Sequence, residues 1–343
     1  MNLSNYKFLL NTDYQYLLDY RILLYNLIKL ILQQKIKKRG EIVCLNKNGN
    51  VNLLNFMNKK VLLTKINKFS DVFKLNLNIK NKLKIYPTIT VKVIPLTYKD
   101  RENMYNSKFA VWKELKVLKL LTNLSKKRMS PNLPIIYDYY ICNSCKYENP
   151  NIKNTTDRIC LLVLSEYNNY DLRTWLINLS KKKLSANKLS DIWYNCLFQI
   201  ISALYLIYKQ YKLVHLDLHW GNILVQTHQS DGYTIHRIEG INYYLPNLGF
   251  TIKLWDFGKS KSKHLFKEDT SVNIYQLLDI NRLSNIYNWI NKYPKITNKS
   301  VIPTNIINLF KSIQNEKKIS LNGILYRYMS RYMHNMIGNT IVE

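Results

Sequence analysis

The chain has 343 residues, enough for two packed lobes, and its 51 basic and 22 acidic residues give a net charge of +29. This charge is compatible with a nucleic-acid or chromatin-like partner, and equally with cations spread over solvated faces. The five cysteines, an odd number, and the lack of a signal-peptide pattern favour a reducing intracellular compartment without disulfides, and no segment offers the ~20 uninterrupted apolar residues of a membrane span.

Residues 1–60 are predicted to form an N-terminal helical extension that ends in a polar, Asn-rich connection. Within it, residues 16–32 have the apolar spacing of a helix, and a basic run follows at residues 35–39. Such a helix can pack on its own domain, the interpretation that we favour, or lie on a membrane or a partner. The extension contains no catalytic motif.

Residues 61–165 have the pattern of a small lobe built on an antiparallel sheet. The predicted strands cover residues 61–66, 72–77, 88–94, 134–140 and 159–164. One helix is predicted between them, over residues 103–124, with its end signalled by Ser130 and Pro131. Cys142 and Cys145 form a CxxC pair, but zinc requires four ligands and no second pair lies at finger spacing, so both are interpreted as ordinary hairpin residues.

Residues 166–343 are predicted to form a second, mainly helical lobe of reduced size. Its first helices are expected at residues 171–179 and 191–211, and the longer one leads directly into the loop that begins at His215. Residues 226–249 are predicted to form an inserted hairpin, in which Tyr233, Ile235, Ile238, Tyr243 and Tyr244 indicate extra strands. We interpret this insertion as a packed decoration, with a substrate or partner surface as the alternative.

Two motifs indicate phosphoryl transfer. The loop from His215 places Asp217 and Asn222 five residues apart, so that the acid can accept a hydroxyl proton while the amide reaches a metal ion. Asp256 opens a DFG tripeptide directly after the apolar run 251–255 and supplies a second metal ligand. A lone DFG occurs by chance in many chains, but here each motif follows a strand, and the order is that of protein kinases.

These motifs resemble those of eukaryotic-type protein kinases, over about residues 61–280. The string HLDLHWGNILV is most similar to haspin-type kinases and to divergent serine/threonine kinases of large DNA viruses. The resemblance implies an α+β, bilobal fold, with a small antiparallel β lobe that carries one helix and a larger, mainly α lobe. It also implies transfer of the γ-phosphoryl group of ATP to a protein hydroxyl with Mg²⁺, and, for a viral enzyme, a viral factory or virion as its location.

The resemblance assigns roles to five further residues. Lys92 matches the strand lysine that holds the α- and β-phosphates of ATP, and Glu114, in the next helix, is its expected partner. Glu166 and Tyr167 match the hinge, whose backbone pairs with adenine. Asp171 is then placed to bind the ribose hydroxyls.

The sequence departs from the family pattern at three places. Leu216 replaces the arginine that senses a phosphate on the activation loop, so we expect that form of switching to be absent. His219 stands where a lysine is common, and it can neutralise developing charge only if it is protonated. The phosphate-covering loop has no glycine, which leaves Ser70, Val72 and nearby lysines to replace the usual backbone clamp.

Asp279 is predicted to be the buried helix aspartate that anchors the catalytic loop. Two other functions remain open. A small-molecule kinase of the aminoglycoside or choline type shares the HxDxHxxN loop but usually lacks the DFG phenylalanine. A pseudokinase that acts as a basic scaffold is favoured by the missing glycines and opposed by the intact catalytic and metal-binding residues. The sequence does not indicate an oligomeric state.

Overall fold

The computed structural model of the protein describes residues 18–37, 62–64, 70–76, 87–142, 159–266, 278–283, 285, 286, 288, 301–316, 320–333, 341 and 342. The chain divides into two compact units. The first comprises the described residues within 19–126 and 134–167, and the second comprises residue 18, residues 127–133 and those from 168 onward. Each unit combines helices with mostly antiparallel strands, which confirms the predicted α+β class.

The first unit contains a five-stranded antiparallel sheet in the order β1-β2-β3-β5-β4. Its described elements, in chain order, are α1 (Leu18–Lys37), β1 (Leu62–Thr64), β2 (Asp71–Asn76), β3 (Thr88–Pro95), α2 (Tyr98–Glu102), α3 (Ala110–Lys126), β4 (Ile136–Cys142) and β5 (Cys160–Glu166).

Helix α1 is part of the hydrophobic core of this unit. Leu27 and Ile28 of α1 pack in one cluster with the inward-facing Ile89, Val91 and Val93 of β3. Each buried aliphatic side chain of this kind contributes roughly 1.5–3 kcal/mol. The predicted separation of residues 1–60 as an extension therefore differs from the structure, in which α1 belongs to the first unit and packs on its own domain. No helix among the described residues is long and apolar enough to cross a membrane.

The helix predicted over residues 103–124 begins later in the structure than the sequence indicates. A short helix, α2, precedes it, and a capping box between Thr97 and Asp100 fixes the start of α2. Tyr105, with a φ of 62°, then adopts the left-handed conformation that a continuous helix does not allow, so α3 begins only at Ala110. The Trp112 indole N–H donates to the Asp100 carbonyl at 2.8 Å and holds the two helices together.

The second unit contains the longest helix described and several short strands. Its elements are β6 (Tyr170–Asp171), α4 (Leu172–Ser180), α5 (Ala186–Tyr211), β7 (Leu213–Val214), β8 (Ile223–Thr227), β9 (Tyr233–Ile238), β10 (Ile241–Pro246), β11 (Phe250–Leu254), β12 (Lys261–Ser262), α6 (Lys263–Phe266), α7 (Thr304–Asn315), α8 (Leu321–Tyr328), a 3₁₀ turn (Ser330–Tyr332) and β13 (Ile341–Val342). Residues 278–283 are also helical.

Helix α5 forms the core of this unit, and the catalytic loop follows it along the chain. It starts five residues earlier than predicted, because the Ser185 hydroxyl accepts the Lys188 N–H and caps it. It ends at Tyr211, and the capping residue Lys212, with a left-handed φ of 48°, turns the chain into β7. His215 follows β7 immediately, so the end of α5 sets where the catalytic loop begins.

The insertion forms the predicted hairpin. Strands β9 and β10 pair antiparallel around Glu239 and Gly240, both with positive φ, the backbone of a tight hairpin turn. Tyr243 lies directly opposite His236, and both rings pack on Phe198 of α5, with ring centroids 5.3 and 5.1 Å away. This side of the hairpin therefore packs on the core of the second unit.

The buried His236 makes stability depend on pH. Burial lowers the pKa of His236 from 6.5 to about 4, so the unfolded chain binds a proton near pH 6.5 and the folded chain only near pH 4. Stability present above pH 6.5 is then lost as the pH falls towards 4, by about 3 kcal/mol for this residue. Between pH 7 and pH 4.5, the free energy of unfolding, measured with urea, should fall less for His236→Phe than for the native chain. Equal decreases in the two proteins would contradict the prediction.

The bonding state of the cysteines differs from the prediction. Cys142 and Cys160 lie opposite each other on β4 and β5. Cys160 is disulfide-bonded, whereas the buried Cys196 has a free thiol. The prediction of a fold without disulfides is therefore wrong at Cys160, and cysteine usage no longer supports a reducing compartment. Cys145, the other member of the CxxC pair, lies outside the described residues.

Candidate active site

The catalytic loop is anchored at its start by Asp279. The carboxylate accepts the N–H groups of His215 and Leu216, at 2.6 and 2.8 Å. Asp279 is buried, and burial raises the pKa of its carboxyl while the two N–H donors oppose that shift. Leu216 has a φ of 58°, a strained conformation for a side chain of this type, and the paired hydrogen bonds hold it there. The anchoring contact predicted for Asp279 is thus present.

His215 connects the two motifs. Its Nδ1 accepts the Asp217 N–H at 3.3 Å, so Nε2 carries the proton and donates to the Trp255 carbonyl at 2.9 Å. The ring also packs against Phe257, with centroids 4.6 Å apart. A fully buried imidazole therefore fixes the catalytic loop to the DFG segment.

The pairing of β8 with β11 brings the two predicted metal ligands together. In this register Ile223 lies opposite Leu254, so Asn222 and Trp255 are the next residues across the ladder. The Trp255 N–H donates to the Asn222 carbonyl at 2.9 Å. Asp256 follows at once, with a left-handed φ of 61°.

The oxygen atoms offered here suit Mg²⁺. Asn222 Nδ2 donates to the Asp217 carbonyl at 2.9 Å, which leaves the amide oxygen Oδ1 for a metal ion. Asp256 adds a carboxylate. Magnesium commonly binds one or two such protein oxygens and takes its other ligands from phosphates and water. Among the described residues, no group of three or more His, Cys, Asp or Glu side chains could hold a metal ion.

Two cations contact Asp217. Oδ1 of Asp217 lies 3.1 Å from Lys259 Nζ and 3.4 Å from an Arg282 guanidinium nitrogen. The sequence interpretation did not identify either cation. The available signals were the position of Lys259 directly after the DFG tripeptide and that of Arg282 three residues after Asp279.

His219 shapes a turn. Its Nδ1 accepts the Gly221 N–H at 3.0 Å, and a Cβ atom at Gly221 would lie only 3.0 Å from the ring. Burial lowers the pKa of His219 below 6.5, although Asp217 and Asp256 act to raise it. The ring is therefore neutral at neutral pH, and the prediction that it supplies positive charge has no support from this geometry.

In the first unit, Lys92 pairs with Glu114. Lys92 Nζ lies 2.7 and 3.0 Å from the two carboxylate oxygens, and both residues are buried. Lys92 sits in the middle of β3, directly opposite Val72 of β2 and Val163 of β5. Strand and helix together thus produce the pairing predicted for the phosphate-binding lysine.

The predicted nucleotide loop is only partly described. Ser70 is buried and precedes β2, whereas residues 67–69 lie outside the described residues. Tyr167 is half-buried, and Lys74 Nζ lies 4.4 Å from the centre of its ring. Asp171 caps α4, because Oδ1 accepts the Thr174 N–H at 2.7 Å, so its second oxygen is the one left for the predicted ribose contact.

Glu166 has a structural partner that the sequence did not reveal. Arg21 of α1 binds both carboxylate oxygens, at 2.7 and 2.8 Å, and the Ile135 N–H donates to Oε1 at 3.0 Å. The Glu166 N–H donates to the Ile135 carbonyl at 3.1 Å. Neither the side chain nor the amide of Glu166 is therefore set up for adenine, which leaves only its carbonyl for the predicted hinge contact.

Arg21→Met should destabilise the first unit strongly. The substitution leaves the Glu166 carboxylate buried without its guanidinium, which typically costs about 3–5 kcal/mol. Lys29→Met is the matched control, because Lys29 pairs with Asp138 at 2.8 Å but both side chains are about a quarter exposed, and such pairs contribute about 1 kcal/mol or less. Urea unfolding gives the free energy of unfolding of both variants. Equal decreases would show that the buried ion pair contributes no more to stability than the partly exposed one.

Comparison with known proteins decides the family. A family model described as "Haspin like kinase domain" matches residues 19–311. The chain belongs to the haspin-like kinases. The match begins inside α1, so the haspin-like domain includes the helix that packs in the first unit.

Relatives of this haspin-like chain occur in large DNA viruses. It is 28% identical to "Probable serine/threonine-protein kinase 380R" of Invertebrate iridescent virus 6, over 74% of this chain and 46% of that protein. It is 23% identical to "Uncharacterized protein R403" of Acanthamoeba polyphaga mimivirus, over 71% of this chain and 44% of that protein. The haspin-like chain thus spans less than half the length of these relatives.

Proposed function

We propose that this haspin-like domain is a Mg-ATP-dependent serine/threonine protein kinase, which transfers the γ-phosphoryl group of ATP to a protein hydroxyl. The observation that carries the proposal is the hydrogen-bonded arrangement at Trp255, whose carbonyl accepts from His215 and whose N–H donates to Asn222. This arrangement places the loop of Asp217 beside the residue that precedes Asp256.

Each residue then has a defined task. In the second unit, Asp217 orients the acceptor hydroxyl and takes its proton, while Asn222 and Asp256 hold magnesium. In the first unit, Lys92, held by Glu114, binds the α- and β-phosphates of ATP. When bound, Mg²⁺ neutralises charge on the phosphates.

The nucleotide contacts of the remaining predicted residues are part of the same proposal. Ser70 and Val72 would cover the phosphates in place of glycines, the Glu166 carbonyl and the Tyr167 backbone would face adenine, and Asp171 would bind ribose. The viral relatives support a role in infected cells, in a viral factory or virion. The charge of +29 is the observation behind a nucleic-acid or chromatin-like partner.

One experiment tests the function. The purified chain is incubated with labelled Mg-ATP and, separately, with histones, casein, an aminoglycoside or no acceptor, beside the Asp217→Asn variant. We expect label on protein that is lost in the variant. Label on the aminoglycoside alone would establish a small-molecule kinase instead. Failure to bind ATP would support the alternative of a pseudokinase that acts as a scaffold.

A further inference from the structure

We infer that Lys259 is a catalytic residue of the proposed kinase reaction, and that its ammonium group contacts the phosphoryl group during transfer. The inference rests on the proposed function and assigns the positive charge that such a reaction needs. The observation behind it is the 3.1 Å contact between Lys259 Nζ and Oδ1 of Asp217, the proposed acceptor of the hydroxyl proton.

The backbone around Lys259 is fixed from both sides. Lys259 lies within a turn that the Ser260 N–H and hydroxyl close by donating to the Phe257 carbonyl, at 3.0 and 2.6 Å. After it, Lys261 of β12 pairs with Val214 of β7, directly before the catalytic loop. The Lys259 backbone is therefore held close to the start of the loop that carries Asp217.

The Lys259 side chain, in contrast, is accessible. Its side chain is 70% exposed, against 19% for Asp217, so the ammonium can adjust its position when a substrate arrives. Oδ2 of Asp217 accepts no hydrogen bond from another described residue and is the oxygen left for the acceptor hydroxyl. A hydroxyl within about 3 Å of Oδ2 places the reacting oxygen within about 8 Å of Lys259 Nζ, a gap that the flexible lysine side chain can close.

A cation at this point, in addition to the proposed Mg²⁺, assists the chemistry. The acceptor oxygen forms a bond to the γ-phosphorus while the bond from that phosphorus to the β,γ-bridging oxygen breaks. The hydroxyl proton passes to Asp217, and the electron pair of the broken bond leaves with ADP. Negative charge lies on the phosphoryl oxygens throughout, and a nearby cation stabilises it.

Other side chains near Asp217 are less suited to this task. His219 uses Nδ1 to accept the Gly221 N–H, a contact that a doubly protonated ring cannot make. Arg282 also contacts Oδ1 of Asp217, at 3.4 Å, but it extends from the helix that anchors the loop through Asp279. Its role is to position the Asp217 carboxylate, and it still holds that carboxylate when Lys259 is replaced.

The test compares Lys259→Met, Lys259→Arg and the control Lys263→Met, an exposed lysine of α6. Transfer to histones and casein is measured with the ATP concentration varied and, separately, with the acceptor concentration varied. We expect Lys259→Met to lower kcat about 10- to 100-fold while KM for ATP changes less than about threefold, Lys259→Arg to recover much of the loss, and the control to match the native chain. Equal thermal midpoints would show that the fold is unchanged.

Three results would overturn the inference. A raised kcat in Lys259→Met would mean that the contact inhibits Asp217, and a change confined to KM for the acceptor would mean that Lys259 only selects substrates. Native-like kinetics in Lys259→Met would show that Lys259 has no role in the transfer reaction. If the native chain itself labels no protein, the proposed function fails as well, so the two failures are distinguishable.

Discussion

Asp217→Asn is expected to lower kcat for protein phosphorylation about 10²- to 10⁴-fold, the range that general base catalysis contributes. The amide has the same shape as the carboxylate but cannot take the hydroxyl proton. It can still face Lys259 and Arg282 through its oxygen, so the loop should keep its conformation. Steady-state phosphorylation of histones and casein measures the effect.

The control for this substitution is Asp231→Asn. Asp231 is an exposed residue between β8 and β9 in the same unit, so the same loss of charge occurs away from the loop. Asp231→Asn should keep native activity. ATP affinity, measured by fluorescence titration, should be nearly unchanged in Asp217→Asn. A variant that keeps more than half of the native kcat would refute the assignment of Asp217 as the base.

Asp256→Asn is expected to reduce kcat/KM about 10²- to 10³-fold and to move the magnesium dependence to higher concentration. The position has a φ of 61°, a conformation that asparagine tolerates as well as aspartate. The backbone should therefore stay in place, and the hydrogen bonds of Trp255 to Asn222 and His215 should persist. The change is confined to one negative charge and one metal-binding oxygen.

Activity titrated with MgCl₂ at saturating ATP separates this explanation from a general loss of structure. A weaker metal site should recover part of its activity at high magnesium, whereas a misfolded loop should not. A magnesium curve identical to that of the native chain, at any level of activity, would exclude Asp256 as a metal ligand. Thermal unfolding of the variant supplies the check on folding.

The sequence predicted those parts of the site in which chemistry demands fixed residue types at short spacing. Asp217 and Asn222 lie five residues apart, and the hydrogen bond between them is local. Lys92 and Glu114 were identified from the resemblance to protein kinases, which implies a lysine on a strand and its glutamate partner on the next helix. Asp279 was identified from the same resemblance, as an aspartate within an apolar segment.

The remaining contacts depend on tertiary structure. Lys259 and Arg282 lie 42 and 65 residues from Asp217, and Arg21 lies 145 residues from Glu166. No periodicity connects residues at such separations. The start of α3 was also misplaced, because apolar spacing alone does not reveal that Tyr105 adopts a left-handed conformation. The hairpin of β9 and β10 lies within residues 226–249, where the apolar residues, a local signal, indicated extra strands.

The packing of α1 has a practical consequence for recombinant fragments. A fragment that begins at the first strand of the sheet would retain every proposed catalytic residue and still lack Leu27, Ile28 and Arg21. The apolar face of β3 would then meet solvent, and the Glu166 carboxylate would remain in the core without its cation. Expression boundaries for this domain should therefore lie upstream of residue 18, and insolubility of a shorter fragment would say nothing about its chemistry.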